Sequence, residues 1–325
     1  MSRIPPPEPG IYFDVPFATY LAWDAASASM LKVIRAHCPA MAKYQMDHPQ
    51  TDVEDKDWAV FGRLFHLLCT EPDKAKTDYI AIPPTYPSEK PTGRGAKKVV
   101  EISEKPWTGN ATYCKTWLQE QREAGRTPIR ASGDAQSPGI AEAHAMADAV
   151  KAHPMLGRII ANGRAEVSVV WRDPLTGVLC KGRYDIWVPA AVVAVDLKSA
   201  RNARTEIYWS DAFKRGLHIQ VAMYIDSLHA LGKVPADKPV WFLIGAAEKA
   251  PPHLVNVFEI YDDPGDDSYD WLDLGRKDYR SLLATYAQCL KTGVWPGYSE
   301  EPQSMMLPPW ALKELNELRK LEMRT

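Results

Sequence analysis

Cysteine is sparse in this chain, and so are most features that would assign it at a glance. The 325 residues include five cysteines, Cys38, Cys69, Cys114, Cys180 and Cys289, with no Cys-x-x-Cys pair among them. Scattered thiols argue against structural zinc or an iron–sulfur cluster and for a reduced, cytoplasmic setting. No apolar run reaches the roughly 18 residues of a membrane span, and the opening MSRIPPPEPG is not a signal-peptide pattern. Charge of one sign is missing as well, since 39 Lys and Arg stand against 41 Asp and Glu, a net of −2. Any nucleic-acid surface must then be a local patch. Internal repeats are absent. The acidic run from Asp262 to Asp273 lacks the ligand spacing of an EF-hand loop and reads as a solvated loop.

What is present runs helices first and strands later, in a length that suits one large α/β domain. The expected organisation is a single domain over 1–325: a mainly helical part at 1–150, a sheet core at 160–265 and C-terminal helices at 270–325. Ser27 or Ser29 caps a helix that runs to about residue 46 and is interrupted at Pro39. WAVFGRLFHLLCTEP reads as a second helix ending at Pro72. Residues 83–110 hold several Pro and Gly with Lys90, Arg94, Lys97 and Lys98, which reads as a basic loop near a phosphate backbone; a solvated insertion is the alternative. Helices are expected at 111–124, 139–152, about 206–231, 275–292 and 308–325. Strands are expected at 164–171, 182–188, 192–198, 240–247 and 254–261. That order points to an α/β or α+β fold with a mixed central sheet flanked by helices.

One stretch, KGRYDIWVPAAVVAVDLKSA at 181–200, sets charges into segments that otherwise read as buried strand. If the reversal centres between Ala190 and Ala191, Asp185 faces Asp196 across the ladder, with Cβ atoms about 5 Å apart. Lys198 lies two residues from Asp196 and so shares its face. Two opposed carboxylates repel, and a cation between them would relieve this. The alternative is a charged strand end in water, since most such pairs are surface pairs worth little. Ala-Ala is also a poor hairpin loop, which needs positive φ, so the register can slip. Elsewhere His66 lies one helical turn after Gly62, a position that a packed core histidine also takes. Gln220 and Tyr224 share a helix face at i and i+4. Glu166 precedes an Asp-Pro-Leu-Thr-Gly turn.

This order of residues resembles the PD-(D/E)XK nuclease superfamily, and within it the RecE-type, exodeoxyribonuclease VIII-like exonucleases of phages and prophages. The resemblance runs from Ser-Ala-Ser-Met-Leu at 27–31 through FGRLFHLLCTEP, WRDPLTGVLCKGRYD and VDLKSA to HIQVAMY, and on to WPGY and PPW. It implies a restriction-endonuclease-like core with an N-terminal helical elaboration. It also implies that His66, Asp185, Asp196 and the Leu197 carbonyl bind metal and that Lys198 is the catalytic lysine. Gln220 and Tyr224 would shape the site or hold DNA, and Arg183 would join the basic loop in binding it. The family's Arg-Pro-Asp is Arg183-Tyr184-Asp185 here. Glu166, a further catalytic candidate, falls opposite Asp185's face if the hairpin is symmetric about Leu175, and on the same face if the loop shifts by one residue. The four cysteines of iron–sulfur relatives are absent, against a Cas4-like reading.

The chemistry so implied is phosphodiester hydrolysis. Mg²⁺ suits carboxylate and carbonyl oxygens, and His66 leaves room for Mn²⁺. The resemblance implies a 5′→3′ exonuclease on linear double-stranded DNA ends that leaves 3′ single-stranded tails for recombination. It also implies a homo-oligomer, in the form of a tetrameric ring, and a single-strand annealing protein as partner. A structure-specific or restriction-like endonuclease on the same core is the alternative among enzymes. A catalytically inactive DNA-binding factor is the alternative outside them.

Overall fold

Alternating apolar residues and helical spacing sort this chain into one large sheet with helices packed on both faces. The computed structural model describes residues 3–48, 56–92, 99–235 and 238–322. The first half holds β1 (Gly10–Tyr12), α1 (Phe17–Ala22), α2 (Ala28–Ala36), α3 (Pro39–Asp47), α4 (Asp57–Thr70), α5 (Pro72–Asp78), β2 (Tyr79–Ile82), β3 (Thr85–Thr92), β4 (Val99–Pro106), α6 (Thr112–Glu123), β5 (Thr127–Arg130), α7 (Ile140–Ala152) and α8 (Pro154–Asn162). The second half holds β6 (Arg164–Arg172), β7 (Leu179–Val188), β8 (Val193–Ala200), α9 (Thr205–Lys214), α10 (Leu217–Ala230), β9 (Trp241–Glu248), β10 (Val255–Tyr261), α11 (Tyr269–Thr292) and α12 (Pro309–Glu322). Among the described residues no helix is long and apolar enough to cross a membrane.

The six-stranded sheet has the order β1-β6-β7-β8-β9-β10. Its neighbours are antiparallel except β8 and β9, which are parallel and joined through α9 and α10, as a parallel pair requires a crossover. Burial on both faces explains the apolar character of the central strands. Val193, Val195 and Leu197 of β8 pack with α4, α7 and α8, while Ala194 and Ala200 pack with α2, α10 and α11. Ser27 caps α2 by accepting from the Met30 N–H at 3.3 Å, and Pro39 begins α3 as its first residue.

The N-terminal segment is tied down by two side chains of β7. Lys181 is buried, and its ammonium donates to the carbonyls of Tyr20 at 2.9 Å, Leu21 at 2.9 Å and Trp23 at 2.7 Å. These carbonyls lie at the C-terminal end of α1, where a helix needs donors from outside its own ladder. Burial pushes the Lys181 ammonium down to about 8. Arg183 Nη1 donates to the Val15 carbonyl at 2.9 Å.

The helix expected to end at Pro72 does stop there, α4 at Thr70, and Pro72 opens α5, since proline fits the first helical position. Three expectations need correction. The basic loop is a two-stranded hairpin, β3 with β4, in which Lys90 is in register with Glu101; Arg94, Lys97 and Lys98 lie outside the described residues. The helix expected at 206–231 is two helices, because Gly216 turns the chain at φ 68°. A Cβ there would also come to 3.0 Å from the Lys32 side chain, so glycine is needed for both reasons. Finally, the acidic run is not simply solvated: Asp262 is bonded to Arg276 and His229, and α11 begins inside the run at Tyr269.

Candidate active site

The β7–β8 hairpin has the register read from the sequence. Ile186 pairs with Val195, Trp187 with Ala194 and Val188 with Val193. The connection differs from a two-residue loop: Pro189–Ala191 form one turn of 3₁₀ helix, and Val192 supplies the positive φ, 53°. One step further along this register Asp185 meets Asp196, and there the backbone ladder stops. Tyr184 and Trp187 join one core and Ile186 the other, so regular alternation also breaks at Asp185. The Leu197 N–H, free of that ladder, donates to Asp185 Oδ2 at 2.6 Å.

Two helices bring further groups to this opening. On α4, His66 places Nδ1 3.2 Å from Asp185 Oδ2. On α10, Gln220 donates from Nε2 to Asp196 Oδ1 at 3.1 Å and accepts from Lys32 Nζ of α2, also at 3.1 Å. Lys198 Nζ is 2.5 Å from the buried Asp196 Oδ2, the oxygen that Gln220 leaves free. Tyr224, one turn after Gln220, accepts from the Arg183 N–H at 3.3 Å. A Cβ on Gly182 would stand 2.8 Å from the Tyr224 ring, so the close approach requires glycine. All these groups except Lys32 and Leu197 line one cleft of about 1060 Å³.

Glu166 belongs to the same cleft. The pairs Ala165↔Ile186 and Val167↔Tyr184 put it in register with Asp185, so the β6–β7 turn has the shifted form and not the one symmetric about Leu175. It takes φ 52°, and its Oε2 accepts from Arg183 Nε at 2.6 Å. Arg183 is thus held by Glu166, Ser168 and the Val15 carbonyl, with a side chain only 9% exposed.

Burial disfavours every charge here, and the neighbours decide which charges survive. Burial opposes the His66 imidazolium, but Asp185 outweighs it and raises His66 above its ordinary value. Burial would raise Asp185; His66, Lys198 and the Leu197 N–H together hold it below the usual carboxylate range. Asp196 goes the other way, raised by burial and by the charge of Asp185 against the pull of Lys198. Lys198 stays an ammonium because Asp196 and Asp185 overcome its burial.

Residues 27–308 match the family described as a PDDEXK-like domain of unknown function, DUF3799. That span is most of the chain. The chain belongs to the PDDEXK-like family. Asp196-Leu197-Lys198 has the Asp-x-Lys form expected of that signature, and Asp185 stands where the resemblance read from the sequence puts its upstream acid. A solved structure from Eubacterium rectale, described as a "putative exonuclease", superposes with a TM-score of 0.54 at 11% identity, over 94% of this chain and 98% of that one. It shows the same fold. A second structure, described as SSO0001, has a TM-score of 0.25 at 14% identity over 51% of this chain and 69% of that one, too low to argue from. No curated protein matches.

PDDEXK nucleases use divalent metal ions, and the donor set can be tested against that use. Among the described residues no three His, Cys, Asp or Glu side chains converge as a ready cation cage. His66 and Asp185 bond each other, and Lys198 sits against Asp196. The chemistry nevertheless fits a hard cation: two carboxylates facing each other at the end of a ladder, with an imidazole beside them.

Sequence reasoning missed Lys32, although the quoted Ser-Ala-Ser-Met-Leu ends one residue before it. The spacing from Lys32 to Gln220 is 188 residues, which no local pattern reveals. Burial and the charge of Lys198 push its ammonium down to about 8. Arg201, Arg215 and Lys249 also line the cleft and were not singled out.

Proposed function

We propose that this protein is a metal-dependent exodeoxyribonuclease that degrades linear double-stranded DNA from its ends, 5′→3′. The observation that carries the reading is the buried Asp196 carboxylate, in contact with the Lys198 ammonium and facing Asp185 one step beyond the paired end of the hairpin. His66, Asp185, Asp196 and the Leu197 carbonyl would hold a divalent cation, Mg²⁺ in preference and Mn²⁺ as substitute. When bound, that ion supplies Lewis-acid polarisation of the scissile phosphate.

The chain's own residues then have distinct tasks. Lys198, a half-buried ammonium on the face of Asp196, stabilises charge that develops on the phosphate or orients the attacking water. Gln220 fixes the Asp196 carboxylate through Oδ1, and Lys32 fixes the Gln220 amide with its oxygen turned away from Asp196. Glu166 holds Arg183 beside the cleft, and Tyr224 forms its floor. The resemblance supports, as further parts of the proposal, a recombination role, a tetrameric ring with closed symmetry, and a single-strand annealing partner.

The test is incubation with 5′-phosphorylated linear duplex and with covalently closed circles of the same DNA, each with Mg²⁺, Ca²⁺ or EDTA. Loss of the linear duplex alone, in Mg²⁺ alone, is the expected result. Cutting of the circle would convert the reading to an endonuclease. Full cleavage in EDTA would remove the metal, and no cleavage in any arm would leave a DNA-binding factor.

A further inference from the structure

The cleft gathers a group of cations, two of which have no acidic partner. Arg201 follows β8, Arg215 follows α9 and Lys249 follows β9, and all three line the cleft with Lys198. Arg215 bonds Asp211, one turn back on its own helix. Among the described residues, Arg201 and Lys249 have no acidic partner. The Lys249 ammonium instead stands 5.6 Å from the centre of the Phe61 ring. Burial and then the Arg215 charge push Lys249 below its ordinary value. Like charges gathered along one cleft repel, and an anion relieves all of them at once.

We propose that Arg201, Arg215 and Lys249 form a second phosphate subsite, which holds the phosphate next to the scissile one on the strand being cut. The inference rests on the nuclease reading and adds to it how the strand is gripped. Two guanidinium groups can each offer paired donors to phosphate oxygens, and the ammonium adds a point charge. The subsite begins at Arg201, three residues beyond Lys198 along the chain from β8, so both phosphates are served from one end of one strand.

The experiment is single-turnover cleavage of labelled linear duplex by Arg215→Gln/Lys249→Gln, across DNA and salt concentrations. A charge-matched control, Lys233→Gln/Lys277→Gln, removes two surface cations that do not line the cleft. The expected loss lies in half-saturation, roughly tenfold or more, the scale of one charge-assisted contact, and not chiefly in the saturated rate. The slope of log affinity against log salt should fall by up to about 0.7–0.9, the share of the one phosphate that the subsite holds. Lys249→Arg should recover most of the single Lys249→Gln loss. A double variant that tracks the control overturns the subsite and leaves the nuclease reading standing. A wild-type protein that cleaves no DNA overturns both.

Discussion

Helix α10 feeds two buried charge clusters, and they are built to opposite standards. Its first half sends Gln220 to Asp196 in the cleft. Its second half sends Asp226 and His229 into a network with Asp262, Arg276, Tyr279 and Arg280. There Arg276 bonds Asp262 twice at 2.7 Å and Asp226 at 2.8 Å, Tyr279 and Arg280 donate to Asp226, and His229 reaches Asp262 at 3.2 Å. Every carboxylate oxygen of that network that bears charge has a donor. The cleft cluster sets two carboxylates in register with one ammonium, on Asp196, and leaves Asp185 to an imidazole and a backbone N–H. A network whose carboxylates are all paired with cations fixes how α11 and the loop after β10 sit on α10, although His229 Nδ1 has no partner. Two carboxylates held in register keep free energy in reserve for a cation.

The sharpest way to break this comparison is to exchange the roles by mutation. Asp196→Asn should lower cleavage by a factor on the order of 10³ and abolish metal affinity, yet leave thermal stability equal or higher, because it removes a buried charge. Lys198→Ala should keep metal and DNA binding and lose about 10² in single-turnover rate. Calorimetric metal titration beside cleavage kinetics reads both. If Lys198→Ala cleaves within a few-fold of wild type, Asp-Leu-Lys is a charged strand end and nothing more.

Arg276→Met should do the reverse. It strands Asp226 and Asp262 in a part-buried site, and a cost of about 3 kcal/mol is expected in urea unfolding. The rate per folded molecule should change little. A rate loss equal to that of Lys198→Ala would show that the two clusters are one functional unit.

The smallest effect is a pH dependence. The bond to Asp262 raises His229 above its ordinary value, although burial opposes this. Its contribution to stability is therefore full below the unfolded value, near 6.5, and is lost as pH rises through the folded one. His229→Gln should remove that loss, flattening the melting temperature across this range, with about 1 kcal/mol at stake at low pH. A wild-type curve already flat from pH 5.5 to 8 would sink it.

Much of the site could be read from the chain because it rests on local rules. Alternation put Asp196 and Lys198 on one face, and the sum of residue numbers across the hairpin gave the Asp185 register that the ladder follows. What could not be read depends on distance in sequence or on a departure from a rule. Lys32 and Gln220 meet only after α2 packs against α10. Glu166 was named, but its face stayed open because its side chain direction depends on a one-residue choice in the β6–β7 turn. The β3–β4 hairpin escaped because prolines at 87 and 91 argued against strand. Two-stranded ladders with free edges tolerate such residues where a central strand does not. Gly216 reads as a tolerable helix residue until its positive φ is seen.

The family match starts at residue 27, yet the molecule does not divide there. Lys181 needs three carbonyls that all lie between residues 20 and 23, and Arg183 needs the Val15 carbonyl. Both sit on β7, within four residues of Asp185. A fragment trimmed to the matched boundary would keep every residue of the signature and still bury an ammonium with no acceptors beside them. The smallest unit that can be expected to work as a module therefore includes the segment upstream of the match, whose sequence carries none of the signature.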